Sequence, residues 1–211
     1  MTRDTAPTAP MHVVGAGGLG RETLDALFAL GLGAGQLVLV DDHPPVAELY
    51  GVPVRRPEEV VGGGHYVVAI GDPAVRRALS SRVLRRGLLP VSVVHPRATL
   101  AHDVTVPGGC LVLANAFVST GVRLAPHAQV HYNATVGHDS VLEEFVTVLP
   151  GANVAGNVVL NTGVTVGSNS CVLPGLVIGA RTLIGAGAVV TTHHPPDRVL
   201  VGVPARPLVR S

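Results

Sequence analysis

The sequence contains no lysine; its 15 basic residues are all arginine, set against 14 acidic residues for a formal net charge of +1. Basic residues never run longer than the pairs Arg55-Arg56, Arg76-Arg77 and Arg85-Arg86, which excludes the positive stripe of a nucleic-acid-binding protein. Charged residues make up 14% of the chain and hydrophobic residues 47%, which excludes a highly charged disordered polymer. There is no run of about 18 apolar residues, and Met1 to Pro10 lacks the apolar stretch of a secretory signal. The expected setting is therefore the cytoplasm, with no membrane partner. Only two cysteines occur, Cys110 and Cys171, in no CxxC or metal-ligand spacing, and both are expected in the core as small free thiols. What the chain has instead is 26 glycines and 17 prolines in 211 residues, a composition that demands many turns and argues against a helical bundle.

From Leu100 onward an aliphatic residue recurs at every sixth position: Leu100, Val106, Val112, Val118, and so on to Ile178, Ile184 and Val190. Two positions before each stands a mostly small side chain, as at Ala98, Cys110, Ala116, Ala128, Ala134 and Ala152. A period of six fits neither the 3.6 of a helix nor the 2 of a simple strand, but it fits short flat strands joined by tight corners. Both registers then point inward, three sides close one coil, and equivalent aliphatics stack into a column inside a triangular prism. The series predicts a β-solenoid of roughly five coils.

The preceding segment has α/β texture. HVVGAGGLG reads as a strand entering a glycine turn, Arg21 to Leu30 as a helix, QLVLVDD and HYVVAIGD as buried strands, Pro73 to Arg86 as a second helix, and LLPVSVVHP as an extended lead into the coils. Short crossovers imply a parallel sheet. The expected organisation is a flexible leader over residues 1–10, a small Rossmann-like domain over 11–96, the solenoid over 97–190, and a loop and tail over 191–211 that covers its open end.

Gly15, Gly17 and Gly20 satisfy GxGxxG between a strand and a helix, with Asp41 and Asp42 about twenty residues on at the end of the next strand. Bare α-carbons admit phosphate oxygens to a helix N-terminus, and a carboxylate accepts hydrogen bonds from a sugar or base. A full dinucleotide site uses two such halves. Only one precedes the coils, which favours a nucleoside diphosphate over NAD. Gly71 falls on the same sheet edge; the neighbouring Asp72 reads equally as a ligand contact or as the N-cap of the second helix.

Ten histidines raise the question of zinc, but no three ligands can be assembled from their spacing, so no metal is expected. His127 and His131 either line a pocket or face solvent, as does Arg76. His138 and Asp139 fall at a corner of the prism, outside the inward registers. An imidazole there can accept a proton from an attacking amine or hydroxyl, and a carboxylate can orient it.

These stretches together resemble the hexapeptide-repeat acyltransferases with a left-handed parallel β-helix, in the subgroup carrying an N-terminal nucleotide-sugar-binding domain. That subgroup includes sugar N-acetyltransferases and proteins named sialic acid O-acetyltransferases. The carriers are VVGAGGLGRE, VDD, AIGD, NATVGHDSVLEEF, PGANVAGNV and VLVGVPARP. The resemblance implies acetyl transfer from acetyl-CoA to the amino group of a nucleotide-linked amino sugar by a homotrimer whose sites lie between subunits. It implies His138 as general base tuned by Asp139. Nucleotide contacts fall at Gly17, Gly18, Leu19, Asp41, Asp42 and Gly71, beside the Gly15 turn. Acyl-donor contacts fall at Thr147, Ser168 and Ala186. Independently of the resemblance, a backbone N–H near Gly156, in the AGN corner, is a candidate to stabilise the developing oxyanion. Thr147 stands where a second histidine is usual, and Ala186 where glycine is usual. Transfer to a sugar hydroxyl is the alternative acceptor chemistry, and a non-catalytic nucleotide-sugar scaffold is the alternative class.

Overall fold

A computed structural model describes residues 10–60 and 63–208. All but Pro10 of the expected leader, and residues 209–211 of the tail, lie outside them. No helix among the described residues is long and apolar enough to cross a membrane.

The N-terminal unit has strands β1 (Met11–Val14), β2 (Leu37–Val40), β3 (Glu48–Leu49), β4 (Val52–Arg55), β5 (His65–Val68) and β6 (Leu89–Pro90), in the spatial order β3-β4-β2-β1-β5-β6. All neighbours are parallel except β3 and β4. The apolar runs at β1 and β2 are buried on both faces, as parallel strands under helices require. Helix α1 (Gly18–Ala29) follows β1, and α2 (Pro73–Leu84) follows β5. Because β1 pairs with both β2 and β5, the strand order reverses there, which places a crevice at the carboxyl ends of β1 and β5.

The solenoid has three faces of two-residue strands. The first runs from Val93–Val94 through Leu111–Val112, Gln129–Val130, Thr147–Val148, Thr165–Val166 and Leu183–Ile184 to Val199–Val201. The second runs from Thr99–Leu100 to Val189–Val190 and holds six strands, and the third from Arg123–Leu124 to Val177–Ile178 with four. Equivalent residues pair eighteen apart, as Thr135 does with Asn153. The seven parallel strands of the first face exceed the roughly five coils expected. Val94 extends the six-residue series one step before Leu100, and Val199–Val201 joins the stack out of phase with it, Leu200 pairing with Ile184 sixteen residues back.

From Val112 to Val190 the aliphatic series is buried except for partly buried Leu124, in one core that also holds Ala116, Ala134 and Ala152. Leu200 and Ala205 extend that core over the last coil. Cys110 is buried as expected, and burial raises its thiol pKa to about 11. Cys171 is only partly buried, because it takes the outward position of its strand, one residue before Val172. The first face of the solenoid packs on the α/β unit: Leu24 and Leu27 of α1 share a core with Leu111 and Leu113.

Candidate active site

Three corners join the faces. His138 and Gly156 lie on the corner between the second and third faces, His127 and Phe145 on that between the third and first, Ser168 and Ala186 on that between the first and second.

At the first of these corners His138 Nδ1 lies 2.8 Å from Asp139 Oδ2. Asp139 adopts a left-handed backbone (φ 58), a conformation aspartate tolerates, and its carboxylate returns to the preceding imidazole. With Nδ1–H donating to the carboxylate, Nε2 keeps its lone pair for a proton acceptor role. The ring lies over Gly156, where a Cβ would stand 2.6 Å from Nε2 and 2.7 Å from Cε1. Both side chains are more than half exposed on one chain, 57% for His138 and 61% for Asp139. The same dipeptide occurs two coils earlier as His102-Asp103 on the same corner. There the carboxylate accepts from Thr120 Oγ1 at 2.9 Å and Gly121 N–H at 2.8 Å instead of its own histidine. Those two bonds hold the Asp103 carboxyl below its usual pKa.

At the sheet edge, Gly20 approaches the Gly15 carbonyl so closely that any side chain would collide with it. Gly17 and Gly18 are exposed with open space above them, and α1 starts without a side-chain cap, leaving its first N–H groups available to an anion. Leu19 is half-buried under this turn. Asp41 uses both oxygens locally: Oδ2 accepts from Ala16 N–H at 2.8 Å and Oδ1 from His43 N–H at 2.9 Å. Asp42 pairs with Arg82 of α2 at 2.8 Å. Asp72 is the N-cap of α2, accepting from Ala74 and Val75 N–H. The structure thus brings Gly15, Gly17, Gly18, Leu19, Asp41, Asp42 and Gly71 to one edge, with Asp41 shaping the turn.

Three residues are not where the sequence reading put them. Arg76 neither lines a pocket nor faces solvent: it is 0% exposed and donates to carbonyls of both the α/β unit and the solenoid. His127 is buried between Tyr66 and Phe145, with Nε2 3.1 Å from Ser80 Oγ. His131 is buried beside Gln129, which itself donates to Val68 O. Burial, then the Arg76 charge, pushes both imidazoles down to about pKa 4, so they are neutral near pH 7. Thr147 is also fully buried, its hydroxyl accepting from Arg76 Nη2 and donating to Gly71 O. With its proton committed to Gly71 and the side chain fully buried, Thr147 is out of reach of direct contact with an acyl donor. Ser168 and the exposed Ala186 stack eighteen residues apart on their corner, away from His138.

A groove of about 680 Å³ runs beside the start of α2, lined by Arg77, Phe145, Thr165 and Arg181, with the Arg77 guanidinium 4.3 Å from the Phe145 ring centre. No group of three or more His, Cys, Asp or Glu among the described residues is arranged to hold a metal ion.

Comparison with known proteins agrees with this arrangement. Residues 11–83 match the PglD N-terminal domain family. GDP-perosamine N-acetyltransferase of Escherichia coli is 29% identical over 212 aligned positions, covering 94% of this chain and 96% of that protein. A histidine-to-asparagine variant of perosamine N-acetyltransferase from Caulobacter crescentus, solved in complex with CoA and GDP-perosamine, superposes with a TM-score of 0.90. It is 27% identical, and the match covers 96% of this chain and 98% of that one. The acetyltransferase domain of PglB from Neisseria gonorrhoeae, solved with acetyl coenzyme A, gives 0.88 at 30% identity over 95% of this chain and 100% of that one. With a glycine-turn α/β unit set on a hexapeptide solenoid and full-length likeness to such enzymes, this chain belongs to the hexapeptide-repeat nucleotide-sugar N-acetyltransferases.

Proposed function

We propose that the protein transfers the acetyl group of acetyl-CoA to the amino group of a nucleotide-linked amino sugar, with His138 as general base. The observation that carries the base assignment is the dyad geometry. The Nδ1 bond to Asp139 leaves Nε2 as the acceptor nitrogen, at a corner open to a reactant. As the amine nitrogen attacks the thioester carbonyl, Nε2 takes its proton, and Asp139 stabilises the imidazolium that forms. Loss of the thiolate of coenzyme A, taking up a proton, completes the transfer.

The nucleotide is read onto the carboxyl edge of β1 and β5. Its diphosphate faces the exposed N–H groups of Gly17, Gly18 and Leu19, while the Asp41-Asp42 loop and Gly71 flank the remainder. Ser168 and Ala186 border the acyl donor. Gly156 seats the His138 ring, and a backbone N–H beside it is the proposed oxyanion contact.

A homotrimer belongs to the same reading. One chain leaves the dyad more than half exposed and puts Ser168 and Ala186 on another corner, and a neighbouring subunit would supply both the cover and the missing wall. Water exclusion strengthens every charge interaction at a reacting centre. The cytoplasm, where acetyl-CoA and nucleotide sugars meet, is the setting this reading requires.

The test is free-thiol release from acetyl-CoA with UDP-, GDP- and TDP-linked amino sugars, each beside its hydroxyl counterpart and the free sugar. Turnover with a nucleotide-linked amine is expected. Turnover only with a hydroxyl acceptor would reassign the protein as an O-acetyltransferase, and nucleotide binding without any turnover would make it a scaffold.

A further inference from the structure

Arg76 is the largest fully buried side chain among the described residues, and no carboxylate among them forms an ion pair with it. Its five N–H donors meet six neutral acceptors. Nε donates to His127 O at 3.1 Å; Nη1 donates to Ile70 O at 2.8 Å and Gly71 O at 2.9 Å; Nη2 donates to Phe145 O at 2.7 Å, Val146 O at 3.3 Å and Thr147 Oγ1 at 2.8 Å. Asp72, the closest acid in sequence, spends its carboxylate on capping α2. A buried guanidinium is costly unless each donor is satisfied, and here every nitrogen is. The cost is met at one particular place. Two of the acceptors belong to the chain leaving β5, the tip that borders the nucleotide crevice, and the other four to the solenoid.

Thr147 closes the arrangement. Its hydroxyl accepts from Arg76 and donates to Gly71 O at 2.9 Å, so the Gly71 carbonyl is held by two donors at once, one from α2 and one from the solenoid. Other groups also carry the domain contact, among them the Leu24–Leu27 face of α1 against Leu111 and Leu113, the His127 ring between Tyr66 and Phe145, and the Gln129 bond to Val68 O. A general interface brace would gain nothing by ending on Gly71. A brace that sets the height of the crevice floor over the solenoid must end there.

We propose that Arg76 and Thr147 form a lock that positions the Ile70–Gly71 tip for the nucleotide-linked acceptor. Thr147 is then a positioning residue of the acceptor site rather than a contact of the acyl donor. This rests on the proposed placement of the nucleotide at the β1 and β5 edge. It separates two substrates that the sequence reading assigned otherwise.

The test is Thr147→Val, which keeps the shape and removes the hydroxyl, beside Thr147→Ser, which keeps it. Arg76→Lys keeps the charge and loses the planar fork. Calorimetric binding of UDP, GDP and TDP, the KM values for nucleotide amino sugar and acetyl-CoA, kcat, and the thermal midpoint are read for each.

Thr147→Val is expected to weaken nucleoside diphosphate binding and raise the acceptor KM by about tenfold, the usual effect of leaving a buried hydrogen-bonding group unpaired. The acetyl-CoA KM should stay within about twofold, and Thr147→Ser should restore the acceptor side. Arg76→Lys should move the same parameters in the same direction. A raised acetyl-CoA KM or lowered kcat with unchanged nucleotide binding would overturn the lock and return Thr147 to the acyl donor. A lowered thermal midpoint with unchanged nucleotide binding would reduce it to a structural brace, and failure of serine to restore binding would also sink it. Because nucleotide binding is read without turnover, weakened binding in Thr147→Val alongside an inactive wild type would uphold the lock while the acetyl-transfer reading falls. Absence of wild-type binding to all three nucleotides would remove the placement on which the lock rests.

Discussion

Gly156 carries the His138 imidazole on its bare α-carbon, one coil above: a Cβ at position 156 would lie 2.6 Å from Nε2 and 3.0 Å from Cδ2. The dyad is therefore set from two directions. Asp139 fixes which nitrogen bears the proton, and the backbone of the next coil fixes where the ring lies. This division gives each neighbour a distinct signature in kinetics.

Gly156→Ala should displace the ring without unfolding the coil, since position 156 lies at an outer corner and not in the aliphatic column. A shift of about 1 Å at a reacting group costs on the order of 10²-fold in rate. The expected result is a kcat lowered by about that factor, measured by thiol release, with a thermal midpoint near that of the parent. A parental kcat would mean that the ring position is immaterial.

His138→Ala should lower kcat by about 10²- to 10⁴-fold, the range for loss of a general base. Asp139→Asn should cost less, because it leaves the base in place and disturbs only its tautomer and its charged form. The order of the two losses, read at saturating substrates, is the check. Equal or reversed losses would make Asp139 more than an orienting partner.

Residue type and spacing place the dipeptide on an exposed corner but do not distinguish His138-Asp139 from His102-Asp103, which share spacing, corner and order; only the family resemblance of the stretch around His138 does. The difference lies in what the neighbouring coil offers. Thr120 and Gly121 capture the Asp103 carboxylate, whereas the Asp139 carboxylate turns to its own histidine. The solenoid is legible for the opposite reason, because each coil repeats the same inward register and Val112, Val130 and Val148 announce it locally. Its C-terminal end is not, since Leu200 joins the stack sixteen residues after Ile184, a contact that a six-residue count does not contain. Arg76 and Thr147 are hidden most completely. A helix residue next to another arginine reads as surface, and the solenoid partners that draw it into the joint lie 51 to 71 positions away.

Acid should weaken the joint between the two units. His127 and His131 are held neutral to about pH 4 by burial and by the Arg76 charge, with Arg77 adding to the effect on His127, against an ordinary value of 6.5. Between those values the unfolded chain binds more protons than the folded one, so stability rises with pH through the window and is lost as pH falls from 6.5 toward 4. The deeply buried His131 accounts for up to about 3 kcal/mol of that loss at 1.36 kcal/mol per pKa unit, and His127 for less, since solvent screens part of its shift. Urea denaturation at steps from pH 7 to 4 measures it. His127→Phe, which keeps a ring between Tyr66 and Phe145, should remove less than half of the slope. A slope unchanged in that variant would assign the acid sensitivity to other groups.

If each active site takes His138 from one subunit and the Ser168–Ala186 corner from the next, two inactive variants should rescue one another. His138→Ala removes the base; Ala186→Phe obstructs the donor wall at an exposed position and should leave the fold intact. Each homotrimer alone is expected to be inactive. In a mixed trimer one of the three interfaces joins an intact His138 to an intact Ala186 wall, so co-refolded mixtures should regain up to about a third of the parental rate per mixed trimer, from subunit symmetry alone. Mass measurement in solution gives the assembly, and thiol release against mixing ratio gives the rescue. Activity that stays at the level of the two separate variants would place both residues in a site built by a single chain, and the exposed dyad would then have to be covered by the substrates themselves.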